Sequence, residues 1–198
     1  MNFAALFRRR YGRRRSSRFA SPLSRWLNDL RFHWHTKDKA PWIFVLLVGL
    51  GFSMIGYAMY SASSYAAERR ELTCLAMNVY YEARGEPLAG MHAVAEVTMN
   101  RVVSRRYPDT VCEVVYEKRW DALRKRYVGA FSWTEFDVVP HPQGEKWQLA
   151  WEAARNVYHG RHAPTLKGAL HYHATYIRPS WSRGKRPVAR IGAHVFYR

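Results

Sequence analysis

Residues 78–90 read NVYYEARGEPLAG, and the fold of the chain turns on this stretch. Upstream of the break, Leu75, Val79 and Glu82 recur at i, i+4 and i+7, so all three project from one side of a helix. Gly85 and Pro87 stop that helix, and Pro87 suits the first turn of another. The spacing predicts one helix over residues 71–84 and a second over about 87–105, ended by Pro108. Glu82 is the odd member of its apolar side. A carboxylate that loses water without gaining a partner is costly to ionise, and a raised pKa is its cheapest response. The negative end of the helix pushes the same way, whereas the Arg84 cation opposes it. A carboxyl kept protonated near neutral pH is what an acid catalyst needs.

Before this stretch lies a segment of different character. Residues 42–60, WIFVLLVGLGFSMIGYAMY, are 19 positions without a charge, with Trp42 at one end and Tyr57 and Tyr60 at the other. That length and those aromatic ends predict a membrane-spanning helix. Of the formal net charge of +17, residues 1–40 carry +9, from nine Arg and two Lys against two Asp, which leaves +8 for the remainder. An Arg-rich opening such as RRRYGRRRSSR is found in nucleic-acid arms, but next to a membrane span it is better read as a topology signal touching anionic lipid. No nucleic-acid partner is expected. The segments are then a cytoplasmic tail over 1–41, an uncleaved signal anchor over 42–60, a polar linker over 61–70 and an exported domain over 71–198. Small residues in SAS and YAA near position 65 leave cleavage open. The expected location is the inner, cytoplasmic membrane, crossed once, with the N-terminus inside.

The exported part holds both cysteines, Cys74 and Cys112. An oxidising compartment allows them one disulfide, and two buried thiols are the alternative. Within the second helix His92, Glu96 and Asn100 form a polar stripe at i, i+4 and i+8, placed to line or brace whatever Glu82 does. A short apolar element follows at 111–116, then a basic aromatic stretch at 118–127. Trp147, Trp151, Ala154 and Tyr158 predict a packing helix closed by Gly160, and the alternating GALHYHATYI and VARIGAHVFYR predict strands.

Together these blocks are familiar. CLAMNVYYEARGEPLAGMHAVAEVTMNRV at 74–102, YPDTVCEVVY at 107–116, FSW at 131–133, YHATYIRPSW at 172–181 and IGAHVFYR at 191–198 resemble the SleB-type cell wall hydrolases, the family of the spore cortex-lytic enzymes. The resemblance runs from about Leu72 to Arg198. It implies an α+β, lysozyme/transglycosylase-like catalytic domain with N-terminal helices and a small antiparallel sheet, and peptidoglycan glycan strands as substrate. The first glutamate of EARGE, here Glu82, is then the catalytic acid. Such enzymes imply lytic transglycosylation between N-acetylmuramic acid and N-acetylglucosamine, with one carboxyl serving as acid and then as base. A hydrolytic muramidase needs a second carboxylate, about 5–5.5 Å away for retention or about 6.5–9.5 Å for inversion. Glu86, Glu96, Glu113, Glu135 and Asp137 are the candidates. An amidase on the same polymer and a non-catalytic envelope-binding protein are the other readings.

A glycan site also needs flat rings for sugar faces and polar groups for their edges. Trp133, Tyr172, Trp181 and Tyr197 are candidates for the first. Glu86, Asn100, Ser132, His173 and His194 are candidates for the second. Arg84, Glu96 and Arg101 are expected in support, with Arg101 paired to a carboxylate. His171, His173 and His194 invite a metal reading, yet no third ligand has typical spacing, so neither metal nor cofactor is expected. Lys118, Arg119, Arg124, Lys125 and Arg126 suit an anionic polymer. An enzyme that cuts the wall from the membrane also calls for a restraining protein partner, which no residue identifies.

Overall fold

The computed structural model describes residues 22–36 and 39–198, so most of the Arg-rich tail lies outside the described residues. The chain divides into two compact units, Met1–Ala58 and Met59–Arg198. In the first, α1 (Pro22–Thr36) precedes the start of α2 (Ala40–Ala83). The apolar stretch of α2 has a mean hydropathy of 2.0, and none of it is buried against protein. It is long and apolar enough to cross a membrane.

Two expected boundaries are absent. Residues 61–70 were expected as a linker and 71–84 as a separate helix, but α2 is unbroken from Ala40 to Ala83. The reason is local. SASSYAAERRE contains neither Gly nor Pro, and Ala, Glu and Arg favour helix. Ser63 and Ser64 donate back to the carbonyls of Tyr60 and Ser61, so their hydroxyls do not divert the backbone.

The second unit is built around the last three turns of α2. Leu75 and Val79 are completely buried there and pack with Met91 and Val94 of α3 (Leu88–Val103), Val111 and Val115 of α4 (Val111–Val115), and Ala150 and Ala154 of α5 (Gly144–Tyr158). Each of these repeats at helical spacing, so one stripe per helix faces inward. Cys74 and Cys112 are joined by a disulfide with Cα atoms 5.2 Å apart, which ties α2 to α4 across 38 residues. Glu71 reinforces that joint by accepting from the Val111 and Cys112 amides at the start of α4.

The basic aromatic stretch is a hairpin, β1 (Lys118–Asp121) with β2 (Arg126–Gly129). Its turn is made by Asp121, which accepts from the Leu123 and Arg124 amides, and Trp120 meets Tyr127 across the strands. The C-terminal strands form an antiparallel sheet in the order β3 (His171–Ala174), β5 (His194–Tyr197), β4 (Ala189–Ile191). Phe196, fully buried, plants this sheet on Ala93 and Val97 of α3 with Leu166 and Ala169. The α+β expectation therefore holds, with helices first and a small sheet last.

Candidate functional site

Glu82 sits in the last turn of α2, half-buried. The helix stops there because the Arg84 amide still reaches Tyr80 while the Glu86 amide turns back to Ala83, closing a tight corner before Pro87 starts α3. Across that corner comes β3, and the Tyr172 hydroxyl donates to Glu82 Oε2 at 3.0 Å. Among the described residues this is the carboxyl's one hydrogen bond, so Oε1 is left for another partner. Burial raises the Glu82 pKa; the Tyr172 hydrogen bond and the Arg101 charge pull it back less strongly. Burial and the neighbouring carboxylate together drive the Tyr172 pKa well above its ordinary value, so the phenol remains a donor.

Behind Tyr172 lies His194 of β5, edge-on to the phenol ring at 5.2 Å. Its Nδ1 is buried without a hydrogen-bond partner, 3.9 Å from Glu86 Oε1. Burial lowers the His194 pKa despite the Glu86 carboxylate, so at neutral pH this approach is not an ion pair. Glu86 is occupied elsewhere: Oε2 accepts from the Ala193 amide at 2.9 Å. Gly192 makes that possible, since a Cβ there would lie 1.9 Å from Oε2, and its φ of +57° suits glycine. Glu86 was expected at the substrate. It instead pins the β4–β5 turn to the corner that carries Glu82.

Other expected residues are also used internally. Trp133, expected as a sugar platform, is only 5% exposed; its Nε1 donates to Asn78 Oδ1 and its ring stacks on Tyr81 at 4.7 Å. Its three-residue context FSW places it at a 3-10 turn over the core, where an indole buries more apolar area than it could offer a ligand. Ser132 is exposed in the same turn and not tied to the Glu82 cluster. The α3 stripe is a brace. Glu96 accepts from the Thr165 amide and hydroxyl and from the Leu166 amide, and Asn100 donates to the Ala169 carbonyl, so both hold the loop leading into β3. Among the described residues Arg101 has no carboxylate partner, contrary to expectation. Its Nε donates to the Leu170 carbonyl and its guanidinium lies over Phe131 and Tyr107. Arg84 lies over Tyr80 at 5.6 Å, so the cation that favours ionised Glu82 is Arg101 rather than Arg84.

Trp181 is partly exposed, with Lys185 over its ring at 5.6 Å. It is 41% exposed and is supported from beneath by His171, His173 and Tyr197. His173 and Tyr197 are buried and bonded to each other, Nε2 to hydroxyl, at 3.0 Å. With Nδ1 also against the Ala174 carbonyl, His173 has no free nitrogen for a metal. Among the described residues no three His, Cys, Asp or Glu side chains are grouped to hold one. The proposed second carboxylates are scattered as well: Glu113 is bonded by Thr110, Glu135 is paired with Arg126, and Asp137 is exposed.

The sequence profile of the cell wall hydrolase family matches residues 85–197. The chain belongs to the cell wall hydrolase family. Among its relatives, the spore cortex-lytic enzyme of Oceanobacillus iheyensis is 47% identical over 132 residues, covering 65% of this chain and 41% of that protein. The Bacillus subtilis spore cortex-lytic enzyme is 27% identical over 126 residues, 64% of this chain and 37% of that one. The Bacillus cereus relative is matched over 44% of its length, so the chain spans less than half of these proteins. The crystal structure of the catalytic domain of the Bacillus cereus SleB protein superimposes with a TM-score of 0.50 at 29% identity, over 66% of this chain and 91% of that domain. The family profile begins three residues after Glu82, so it takes in Glu86, Tyr172 and His194 but not the carboxyl they surround.

One residue of this corner was missed by sequence reasoning. Asn78 is fully buried and bridges α2, α3 and the Trp133 turn through Thr98 and Trp133. Its signal was available, because it stands between Leu75 and Val79 on a buried helix. His171, weighed in the sequence only as a metal ligand, instead lies among arginines on the other side of β3.

Proposed function

We propose that this cell wall hydrolase family member is a membrane-anchored lytic transglycosylase that cuts peptidoglycan glycan strands, with Glu82 as its catalytic acid. The single observation that carries the reading is a half-buried carboxyl with a raised pKa, one oxygen held by Tyr172 and the other uncommitted. Protonated Glu82 gives its proton to the glycosidic oxygen between N-acetylmuramic acid and N-acetylglucosamine as the C1–O bond breaks. The leaving sugar departs as an alcohol. The Glu82 carboxylate then removes the proton of the muramic C6 hydroxyl, O6 bonds to C1, and a 1,6-anhydro end forms without water. The acid is restored. Tyr172 supports both halves by fixing the carboxyl plane and stabilising the transient anion, as a charge-assisted hydrogen bond does.

Residues 42–60 serve as the single anchor, residues 1–41 remain cytoplasmic, and the domain over 71–198 works outside the cytoplasmic membrane. The uncharged stretch and the Arg-rich opening support that orientation. Trp181 is the most exposed of the expected rings, with Lys185 over it at 5.6 Å. Mass spectrometry of sacculi digested by the full chain tests the reaction. Anhydro-muramic ends from the wild type and none from Glu82→Gln are expected, whereas reducing ends or free peptides would replace transglycosylation by hydrolysis or amidase action.

A further inference from the structure

On the side of β3 away from Tyr172 there is a second cleft, of about 210 Å³, lined by Arg101, Arg119, Glu117, His171, Tyr107 and the β2 end at Gly129. It is smaller than a typical ligand pocket, so it suits a substituent rather than a pair of sugar rings. Its charge is lopsided. Glu117 Oε1 accepts from Arg119 at 2.8 Å while Glu117 Oε2 is buried without a hydrogen-bond partner, and Arg119 also donates to the Arg106 carbonyl and lies over the Tyr107 ring at 4.5 Å. Arg101, nine-tenths buried, donates its Nε to the Leu170 carbonyl and lies over Phe131 and Tyr107, and among the described residues no carboxylate is within ion-pair distance of it. Among the described residues Arg106 likewise has no carboxylate within ion-pair distance, and Lys185 lies over the Trp181 ring at 5.6 Å. All four cations bear on the His171 imidazole, which burial and these charges together lower to about 4. The imidazole is therefore neutral near pH 7, free to donate without adding charge. The cleft borders the platform at Trp181, which touches His171, and shares Arg101 with the electrostatics of Glu82.

We propose that this cleft binds a carboxylate of the peptide stem borne by a muramic residue, so that the enzyme selects peptide-bearing strands over denuded ones. The inference rests on the glycan-strand reading of Glu82 and deepens it: charge, not sugar recognition, decides which strands are held. Arg119 lines the cleft, Lys185 adds positive charge from beside it over Trp181, and Arg101 supplies a fixed guanidinium at the floor. Glu117 orients Arg119 without cancelling the remaining cations.

The test separates binding from cleavage. Full-length Glu82→Gln protein is mixed with peptide-bearing sacculi and with the same strands stripped of peptide. About tenfold tighter binding to the peptide-bearing form is expected, falling to near equality when Arg119→Gln and Lys185→Gln are added. A soluble stem pentapeptide should compete with the sacculi better than its C-terminal amide does, and better than inorganic phosphate at equal concentration. Equal binding of both strand forms, or a preference that survives the double substitution, would overturn the proposal. Equal competition by phosphate would replace a stem-carboxylate site by a general anion site. Because no bond is cut in these measurements, failure of Glu82 as the acid shows separately, as wild-type digests lacking anhydro ends. The far-ultraviolet circular dichroism of the double variant checks that the hairpin is retained.

Discussion

Two buried-side carboxylates, one helix apart, have opposite supplies of hydrogen bonds. At the α3 brace, Glu96 is 5% exposed and accepts three hydrogen bonds, two of them from backbone amides. At the α2 corner, Glu82 accepts one, from a phenol, and keeps an oxygen uncommitted. A carboxylate surrounded by donors is satisfied and structural; one desolvated without enough donors holds its proton and can react. Hydrogen-bond supply, rather than burial alone, is what differs between the two, and it is the difference expected between a strut and the proposed acid.

The comparison breaks most sharply at Glu82. Glu82→Gln is expected to reduce the release of anhydro-muropeptides about 10³-fold, about 4 kcal/mol in the transition state, while leaving the fold intact. Retained activity would return Glu82 to the structural class. Glu96→Ala should do the reverse, lowering unfolding free energy by about 3 kcal/mol through stranded Thr165 and Leu166 amides. Denaturant titration measures the loss, and the ends produced by whatever enzyme remains folded should keep their chemistry.

Tyr172→Phe probes the single donor. It removes the hydrogen bond that lowers the Glu82 pKa, so the alkaline limb of the pH–rate profile should move up while the maximal rate falls, by about 1–2 kcal/mol of lost stabilisation of the anion. A limb that stays in place would show that Arg101, not Tyr172, sets the balance. The smallest effect is on stability. Because the folded pKa of Glu82 is raised above 4.5, its favourable contribution is complete below that value and is lost as pH rises through the raised one. Wild type should therefore lose stability relative to Glu82→Gln between mildly acidic and neutral pH, by thermal unfolding of the two proteins side by side. Parallel curves would mean that Glu82 ionises as freely in the fold as out of it.

Much of the fold was legible beforehand, since period and punctuation are local. The α2 corner, the α5 stripe and the alternating C-terminal strands each announced themselves within a dozen residues. The continuity of α2 did not, because the change from an apolar to a polar stretch at residue 61 was read as a boundary, although helix propensity does not change there. The site was legible only in part. Glu82 stood out by its place on an apolar side, but Glu86 differs from it by the Gly192 turn 106 residues later, which no spacing could reveal. Arg101 misled for the same reason: a helical arginine near carboxylates suggests an ion pair, whereas a carbonyl and two rings took its bonds. Trp133 misled by composition, since an indole in a motif can serve core or ligand equally well.

By itself the sequence determined where the chain is apolar enough to leave water, where its helices stop, and which carboxyl sits on the wrong side of one. Those are consequences of order along the backbone, where neighbours at i+3 and i+4 are obligatory. Only the tertiary structure decided that Tyr172 would be the carboxyl's donor, that Glu96 would be sated by a distant loop, and that four cations would gather around His171 with Glu117, paired to Arg119 through one oxygen, among them. Proton affinity depends on what surrounds a group within a few ångströms in space, and folding assembles those surroundings from residues far apart in sequence.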